Sequence, residues 1–306
     1  MQCPGVKMSS LDAQPINLHM LKTITENFSE KMKIGSGGYG AVYKGMLNGD
    51  EIAVKKLFPV PGLDDEAFDD EFRNLKMVQH KNVVRMIGYC YEIAHKDVEY
   101  QGKLVWSQVI DRALCFEYMK GGSLGNHISD KSCEYDWPTT YKIIRGTCEG
   151  LHYLHKGRGN SNYIYHLDLK PDNILLDEKF VPKIGDFGLS KLFGESKTHE
   201  TSKTKGTIGF MPPEYINNAK VTPKNDVFSL GVIIFYMLVG KQGYGDYCDV
   251  LLHPNFSAKS RQEFIDSVKE YWKNKMQETL GYRWDQTDVI GVTKCVEIAM
   301  SSVHSD

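Results

Sequence analysis

The stretch His166-Leu167-Asp168-Leu169-Lys170-Pro171-Asp172-Asn173 sets an acid, an ammonium and an amide close together between two apolar runs, Ile164-Tyr165 and Ile174-Leu175-Leu176. A carboxylate able to take a proton, a cation able to meet phosphate and an amide oxygen able to bind a metal are the parts that phosphoryl transfer requires. Thirteen residues past Asn173 stands Asp186-Phe187-Gly188, a second carboxylate followed by a hinge-capable glycine. The plainer alternative is a polar loop between two strands, and it leaves the order of the flanking motifs unexplained.

Upstream lies Ile34-Gly35-Ser36-Gly37-Gly38-Tyr39-Gly40-Ala41-Val42-Tyr43-Lys44-Gly45. A G-x-G-x-x-G alone is shared by dinucleotide-binding folds and ordinary turns. Here Val42 and Lys44 alternate after it, Asn48-Gly49 signals a turn, and Ile52-Ala53-Val54-Lys55 follows. That pattern predicts strand, glycine loop, strand, hairpin and strand, whereas a dinucleotide-binding unit would place a helix directly after the glycines. Glycines suit such a loop because backbone N–H groups can approach phosphate oxygens without a Cβ in the way. A Lys on a strand is ordinarily a solvated surface group; Lys55 stands out for its position after a glycine loop.

After Pro61-Gly62, the spacing of Phe68, Phe72, Leu75 and Val78 predicts a helix. Residues 92–110 read as a charged insertion lengthening a hairpin, with no legible function. The apolar strand Leu114 to Met119 breaks at Gly121-Gly122, a plausible hinge. Helical spacing recurs over residues 141–156, in the apolar run Val227 to Val239, and around Phe264 to Trp272 and Val289 to Met300. Near the N-terminus, Leu18, Leu21 and Ile24 predict a short amphipathic helix after a loose start.

Composition narrows the classes. The 306 residues suffice for one large domain or two lobes, each with its own core. With 41% hydrophobic and 25% charged residues and a net charge of −2, nothing points to nucleic acid or an anionic membrane. Seven cysteines, an odd number without a C-x-x-C pair, favour free thiols in a reducing compartment. The start has no apolar signal segment, and a lone Cys3 is a weak lipidation signal. The run from Val227 is too short to cross a bilayer and reads as a buried core helix.

In this order the motifs resemble the eukaryotic protein kinase domain over about residues 34 to 300. Within it they resemble the plant receptor-like and receptor-like cytoplasmic group, through Phe28-Ser29, Gly88-Tyr89-Cys90, Glu117-Tyr118-Met119, residues 150–155 and Asn173 to Asp177. Lys170 in Asp-Leu-Lys-Pro-Asp-Asn is similar to the Ser/Thr rather than the Tyr kinases. The resemblance implies an α+β, two-lobed kinase fold: an extension over residues 1–27, a small antiparallel-sheet lobe with one main helix over 28–117, and a mostly helical lobe over 118–306. It implies ATP and Mg2+ as cofactors and transfer of the γ-phosphoryl group to Ser/Thr hydroxyls of proteins in intracellular signalling.

The same resemblance assigns roles. Asp168 and Lys170 are catalytic. Asn173 and Asp186 hold metal. Lys55 meets the α- and β-phosphates and is fixed by Glu71, with Asp69 and Asp70 as competitors. Ile34, Gly35, Gly37, Gly40, Val42, Ala53, Glu117, Met119 and Leu175 surround the nucleotide, Glu117 and Met119 through their backbones, with Phe116 as gatekeeper. Asp226 opens the buried helix, where an Asp can act as a cap; by resemblance it holds the backbone of the catalytic loop. Residues 189–205 resemble an activation segment, closing at Gly206 to Glu214 with Pro212 in place of the usual Ala.

Two departures bear on function. Leu167 stands where many members carry the Arg that receives an activation-segment phosphate. The family's large lobe normally runs on past position 306 to an Arg that pairs with the acid at Glu214, so Glu214 is expected to lack an Arg partner or to meet water. These departures keep a catalytically weak kinase-like scaffold or binding module as the alternative. The expected partners are a protein substrate and a membrane receptor or upstream kinase, with no nucleic acid and no transmembrane segment. The expected location is the cytoplasm, at the inner face of the plasma membrane.

Overall fold

The computed structural model describes residues 13–37, 40–58, 72, 75–76, 78–100, 102–128, 133–156, 163–187, 190–193, 199–200, 205–251, 258–278 and 282–304. The chain divides into two compact units, residues 1–80 with 84–119, and residues 81–83 with 120–306.

The first unit is built on a six-stranded sheet of order β1-β5-β6-β4-β3-β2. Its strands are β1 (Gln14–Pro15), β2 (Lys33–Ser36), β3 (Gly40–Leu47), β4 (Asp50–Leu57), β5 (Met86–Tyr100) and β6 (Lys103–Glu117). Between β3 and β4 both Asn48 (φ 52) and Gly49 (φ 90) take the left-handed conformation, the geometry of a tight two-residue hairpin. Strand alternation sends Ile52, Val54 and Cys115 to one face, where they join Leu47, Ile87, Cys90 and Ala113 in a buried core.

Helix α1 (Leu18–Ile24), capped by the Asn17 side chain, contributes the fully buried Leu21 to that core. Within residues 14–24, β1 pairs with β5 and Leu21 enters the sheet's core. The cause is visible in the glycines they cross: a Cβ on Gly88 would lie 2.6 Å from the Gln14 carbonyl oxygen, so only glycine lets β1 pair there. Phe72, Leu75 and Lys76 are helical and Leu75 is buried; Val78, also buried, follows as non-helical chain whose N–H donates to the Leu75 carbonyl at 3.1 Å, while Phe68 and Glu71 lie outside the described residues.

The second unit is mostly helical: α2 (Trp137–Lys156), α3 (Pro213–Asn218), α4 (Pro223–Leu251), α5 (Ala258–Gln277) and α6 (Gln286–Val303). Residues 81–83, expected in the small lobe, belong here. Val83 bridges to Ile184, and the Asn82 side chain donates to the Pro182 carbonyl at 2.8 Å. Gly146 and Gly150 of α2 leave the room that Asn82 occupies.

Helix α4 begins three residues ahead of Asp226 and breaks at Gly240 (φ 75, ψ 177). By length and hydropathy it could span a bilayer. Its centre, Val232 to Phe235 with Met237 and Leu238, is buried within this unit. Trp272 of α5, wholly buried, donates its indole N–H to the Leu238 carbonyl at 3.0 Å. The six cysteines among the described residues are free thiols. Burial pushes those of Cys90 and Cys295 up to about 12, which leaves them as inert packing groups.

Candidate active site

In the second unit β7 (Gly122–Ser123) pairs with β9 (Ile174–Leu176), and the decisive stretch is the loop that runs from β8 (Tyr163–Tyr165) to β9. Leu167 (φ 63) and, further on, Asp186 (φ 59) are held in the left-handed region, which side-chain-bearing residues avoid. Such backbone persists only where its surroundings fix it. Asp226 does this for the first: its two oxygens accept the N–H of His166 (2.7 Å), the N–H of Leu167 (2.8 Å) and Nε2 of His155 (2.7 Å). Asp226 is therefore a clamp on the loop and not the cap of α4, which already starts three residues upstream at Pro223. Burial alone would raise its carboxyl; the hydrogen bond and charge of His155, with the backbone N–H of His166, outweigh that and hold it below the usual carboxylate range.

His166 links the loop to the next motif. Its Nε2 lies 2.9 Å from the Gly185 carbonyl and its Nδ1 is 3.3 Å from the Asp168 N–H, an arrangement met by the neutral ring with hydrogen on Nε2. The buried Phe187 packs on the His166 ring, centroids 5.1 Å apart. Asp186 thus sits, exposed, between two anchored neighbours.

Asp168, Lys170 and Asn173 converge. Lys170 Nζ is 3.1 Å from Asp168 Oδ2, and Asn173 Nδ2 donates to the Asp168 carbonyl at 2.8 Å and to Oδ2 at 3.4 Å. With its NH2 group turned to Asp168, the Asn173 amide leaves Oδ1 as a neutral oxygen donor. With the carboxylate of Asp186 it offers the hard oxygen chemistry that suits a small divalent cation.

A fourth member was not found by sequence reasoning. Thr207 Oγ1 donates to Asp168 Oδ1 at 2.7 Å and accepts from Lys170 Nζ at 2.9 Å. It stands 39 residues from Asp168, and nothing in Gly206-Thr207-Ile208 marks its hydroxyl except its place at the close of the stretch that resembles an activation segment.

Leu167 is buried with Tyr165, Tyr215 and Val221, against Tyr163 and Met211. The Tyr215 hydroxyl pairs with both the N–H and the carbonyl of Lys205 at 3.1 Å, and Ser229 Oγ donates to the Phe210 carbonyl at 2.6 Å. The segment from Lys205 onward is thus tied down by apolar packing and backbone hydrogen bonds. Gly188, Leu189, Thr201, Ser202 and Thr204 lie outside the described residues. Glu214 is half-buried and forms no ion pair with Arg261, Arg283 or any other described residue.

In the first unit, the sheet face opposite the core gathers the other expected residues. Val42 stands across from Lys55, Ala53 across from Phe116, and Gly35 across from Val42. Lys55 is only 8% exposed. Among the described residues no atom lies within 4 Å of a Cβ built on Gly35 or Gly37, so their packing does not require glycine at either position. That space suits phosphate oxygens approaching the backbone. Gly40 has a different reason: its Cβ would collide with the Lys56 carbonyl across the β3–β4 pair.

Ile34 is exposed. The Glu117 side chain accepts the Arg85 N–H at 2.7 Å, and the Glu117 N–H donates to the Arg85 carbonyl at 3.1 Å, fixing the end of β6. Met119 and Phe116 are buried. Leu175 of β9, in the second unit, pairs with Ser123 and Lys183.

Comparison with known proteins agrees with this geometry. The protein kinase domain family matches residues 28–280. The chain is 35% identical to Cysteine-rich receptor-like protein kinase 29 of Arabidopsis thaliana, across 97% of this chain and 41% of that protein. It is 42% identical to Cysteine-rich receptor-like protein kinase 28 of the same plant, across 75% and 32%. A G-type lectin S-receptor-like serine/threonine-protein kinase of Arabidopsis thaliana is 40% identical, across 74% and 26%. The chain therefore spans at most about two fifths of the length of these relatives. With the family match covering the loop, the clamp and the glycine strand pair, the chain belongs to the protein kinase domain family, and within it resembles the plant receptor-like kinases.

Proposed function

We propose that this chain transfers the γ-phosphoryl group of ATP to Ser or Thr hydroxyls of a protein substrate. The observation that supports this best is the Asp168, Lys170, Thr207 cluster: a carboxylate held at both oxygens beside a cation, on a clamped loop. Asp168 would orient the incoming hydroxyl and take its proton. Lys170 would balance negative charge on the transferred group. Lys55, with Glu71 as its partner, would hold the α- and β-phosphates, and the backbone at Gly35 and Gly37 would cradle them. The Glu117 carbonyl and Met119 N–H would read the adenine edge, and Ile34, Val42, Ala53 and Leu175 would each supply apolar contact to the nucleotide. Asn173 Oδ1 and Asp186 would hold Mg2+, which when bound neutralises phosphate charge. Catalysis is then positioning and electrostatics. An intracellular location, with a receptor or upstream kinase as partner, belongs to the same proposal.

The test is incubation with labelled ATP, Mg2+ and a generic protein substrate, followed by phosphoamino-acid analysis. Phosphoserine and phosphothreonine are expected, and phosphotyrosine alone would overturn the assignment. Lys55→Met should keep the fold and lower the rate by roughly 10²–10³. Wild-type rates in both Lys55→Met and Asp186→Asn would sink the proposal.

Two smaller effects follow from the same cluster. Thr207→Val removes one bridging hydroxyl and is expected to lower kcat by about tenfold, the worth of a hydrogen bond to a charged group. A Thr207→Ser variant should recover most of it. Because Leu167 packs in an apolar cluster and offers no charge, phosphate on Thr201, Ser202 or Thr204 has no arginine there to meet. Alanine at all three should therefore change activity by less than about threefold, under about 1 kcal/mol. Abolished activity in a folded triple variant would refute this.

A further inference from the structure

Beyond Glu92, whose carboxylate accepts the Leu18 N–H at 2.7 Å, strands β5 and β6 leave the sheet and continue as a two-stranded ribbon. The pairs run from Ile93 opposite Ile110 to Tyr100 opposite Lys103, while β1 pairs with β5 only at Gly88 and Tyr89 and β4 with β6 only from Ala113 onward. At about 3.4 Å per residue the ribbon extends for roughly 25 Å. A bare two-stranded ribbon is marginal in water, and this one adds exposed apolar side chains: Leu104 (73% exposed), Trp106 (67%) and Ile93 (54%).

Cross-strand register puts these on one face, because residues directly opposite point the same way. Trp106 faces Asp97, Leu104 faces Glu99, and the His95 ring stacks on Trp106 at 6.4 Å. Neither Asp97 nor Glu99 makes an ion pair with a described residue. The face therefore presents an aromatic and aliphatic pair with two uncompensated carboxylates alongside.

We propose that this face of the β5–β6 ribbon docks a partner protein through an extended segment in which Arg or Lys alternates with apolar residues. Its cations would meet Asp97 and Glu99 and lie over the Trp106 ring, an electron-rich surface that attracts them. Its apolar residues would cover Leu104 and Ile93. Charge decides against the other occupants. A second copy paired two-fold on this face would bring its own acids against Asp97 and Glu99. An anionic bilayer would repel the same carboxylates.

The experiment uses the full chain and fluorescein-labelled decapeptides alternating Arg with Val and Leu, read by anisotropy. Matched peptides carry Glu for Arg, or Ala for the apolar residues. Phosphatidylserine vesicles and sedimentation of the chain alone run beside them. The Arg–apolar peptide is expected to bind, more weakly as salt rises, and the two matched peptides to bind at least about tenfold less tightly. Trp106→Ser should cost at least about tenfold in affinity, as an aromatic anchor does. The pair Asp97→Lys and Glu99→Lys should reverse the preference toward the Glu peptide, and both variants should phosphorylate a generic substrate at the wild-type rate. Peptide binding insensitive to Trp106→Ser, binding to vesicles in place of peptides, or self-association that Trp106→Ser abolishes without any peptide binding would each overturn the proposal.

Discussion

Asp226→Ala is expected to lower the stability of the second unit by about 3–5 kcal/mol, the effect of removing one partner from a buried charge network. That is a large share of the roughly 5–15 kcal/mol available to a domain. The carboxylate is wholly buried and satisfies two backbone N–H groups, on His166 and Leu167, as well as His155. Alanine leaves all three without an acceptor, and it releases Leu167 from a left-handed conformation that costs energy to hold. Thermal unfolding checks the stability, and phosphorylation should vanish with the loop's order even below the melting temperature. Asp226→Asn keeps the volume and one acceptor oxygen but turns an NH2 group toward an N–H donor, so its loss should be intermediate.

The same group predicts a pH dependence. Its carboxyl is held below the ordinary carboxylate range when folded. Such a group contributes stability above its unfolded pKa and loses it as pH falls through the lowered folded value. Wild type should therefore lose stability below about pH 4, and Asp226→Asn should show a flatter acid limb in urea titrations. A steeper limb in the variant would contradict the clamp.

Much of this was legible in the chain because short motifs carry their own geometry. The glycine run with alternating Val42 and Lys44 predicts a strand pair, and the register of β3 with β4 bears that out. Asp168, Lys170 and Asn173 lie within one loop, so their convergence needs only local folding. What sequence spacing did not reveal is long-range. Thr207 reaches Asp168 across 39 residues, and residues 81–83 join the second unit through Asn82 and Val83. Local pattern offered Asp226 only as a helix cap, because helix starts favour Asp; the resemblance gave it the backbone of the catalytic loop, and its bonds to the N–H groups of His166 and Leu167 agree with that. Its actual partners come from α2 and the loop after β8, which no local pattern announces. Leu167 could be read only as a missing arginine; the fold adds that it belongs to an apolar cluster that a guanidinium would disrupt.

Asp168→Asn is expected to reduce kcat by roughly 10²–10⁴, the range that a positioned general base contributes, with little change in melting temperature. The amide is nearly isosteric and its oxygen can still accept from Thr207 Oγ1, so the bridge to Lys170 has a geometric substitute. What it cannot do is take a proton or balance the Lys170 ammonium 3.1 Å away. Lys170 would then stand with one fewer negative neighbour, and ATP binding should hold steady or tighten slightly while turnover collapses. The separation of KM for ATP from kcat is therefore the informative readout. If Asp168 only orients the loop, the variant should lose binding and turnover together and melt early. If it handles the substrate proton, turnover alone should fall, and the acid limb of the wild-type pH–rate profile should be absent from whatever residual activity remains.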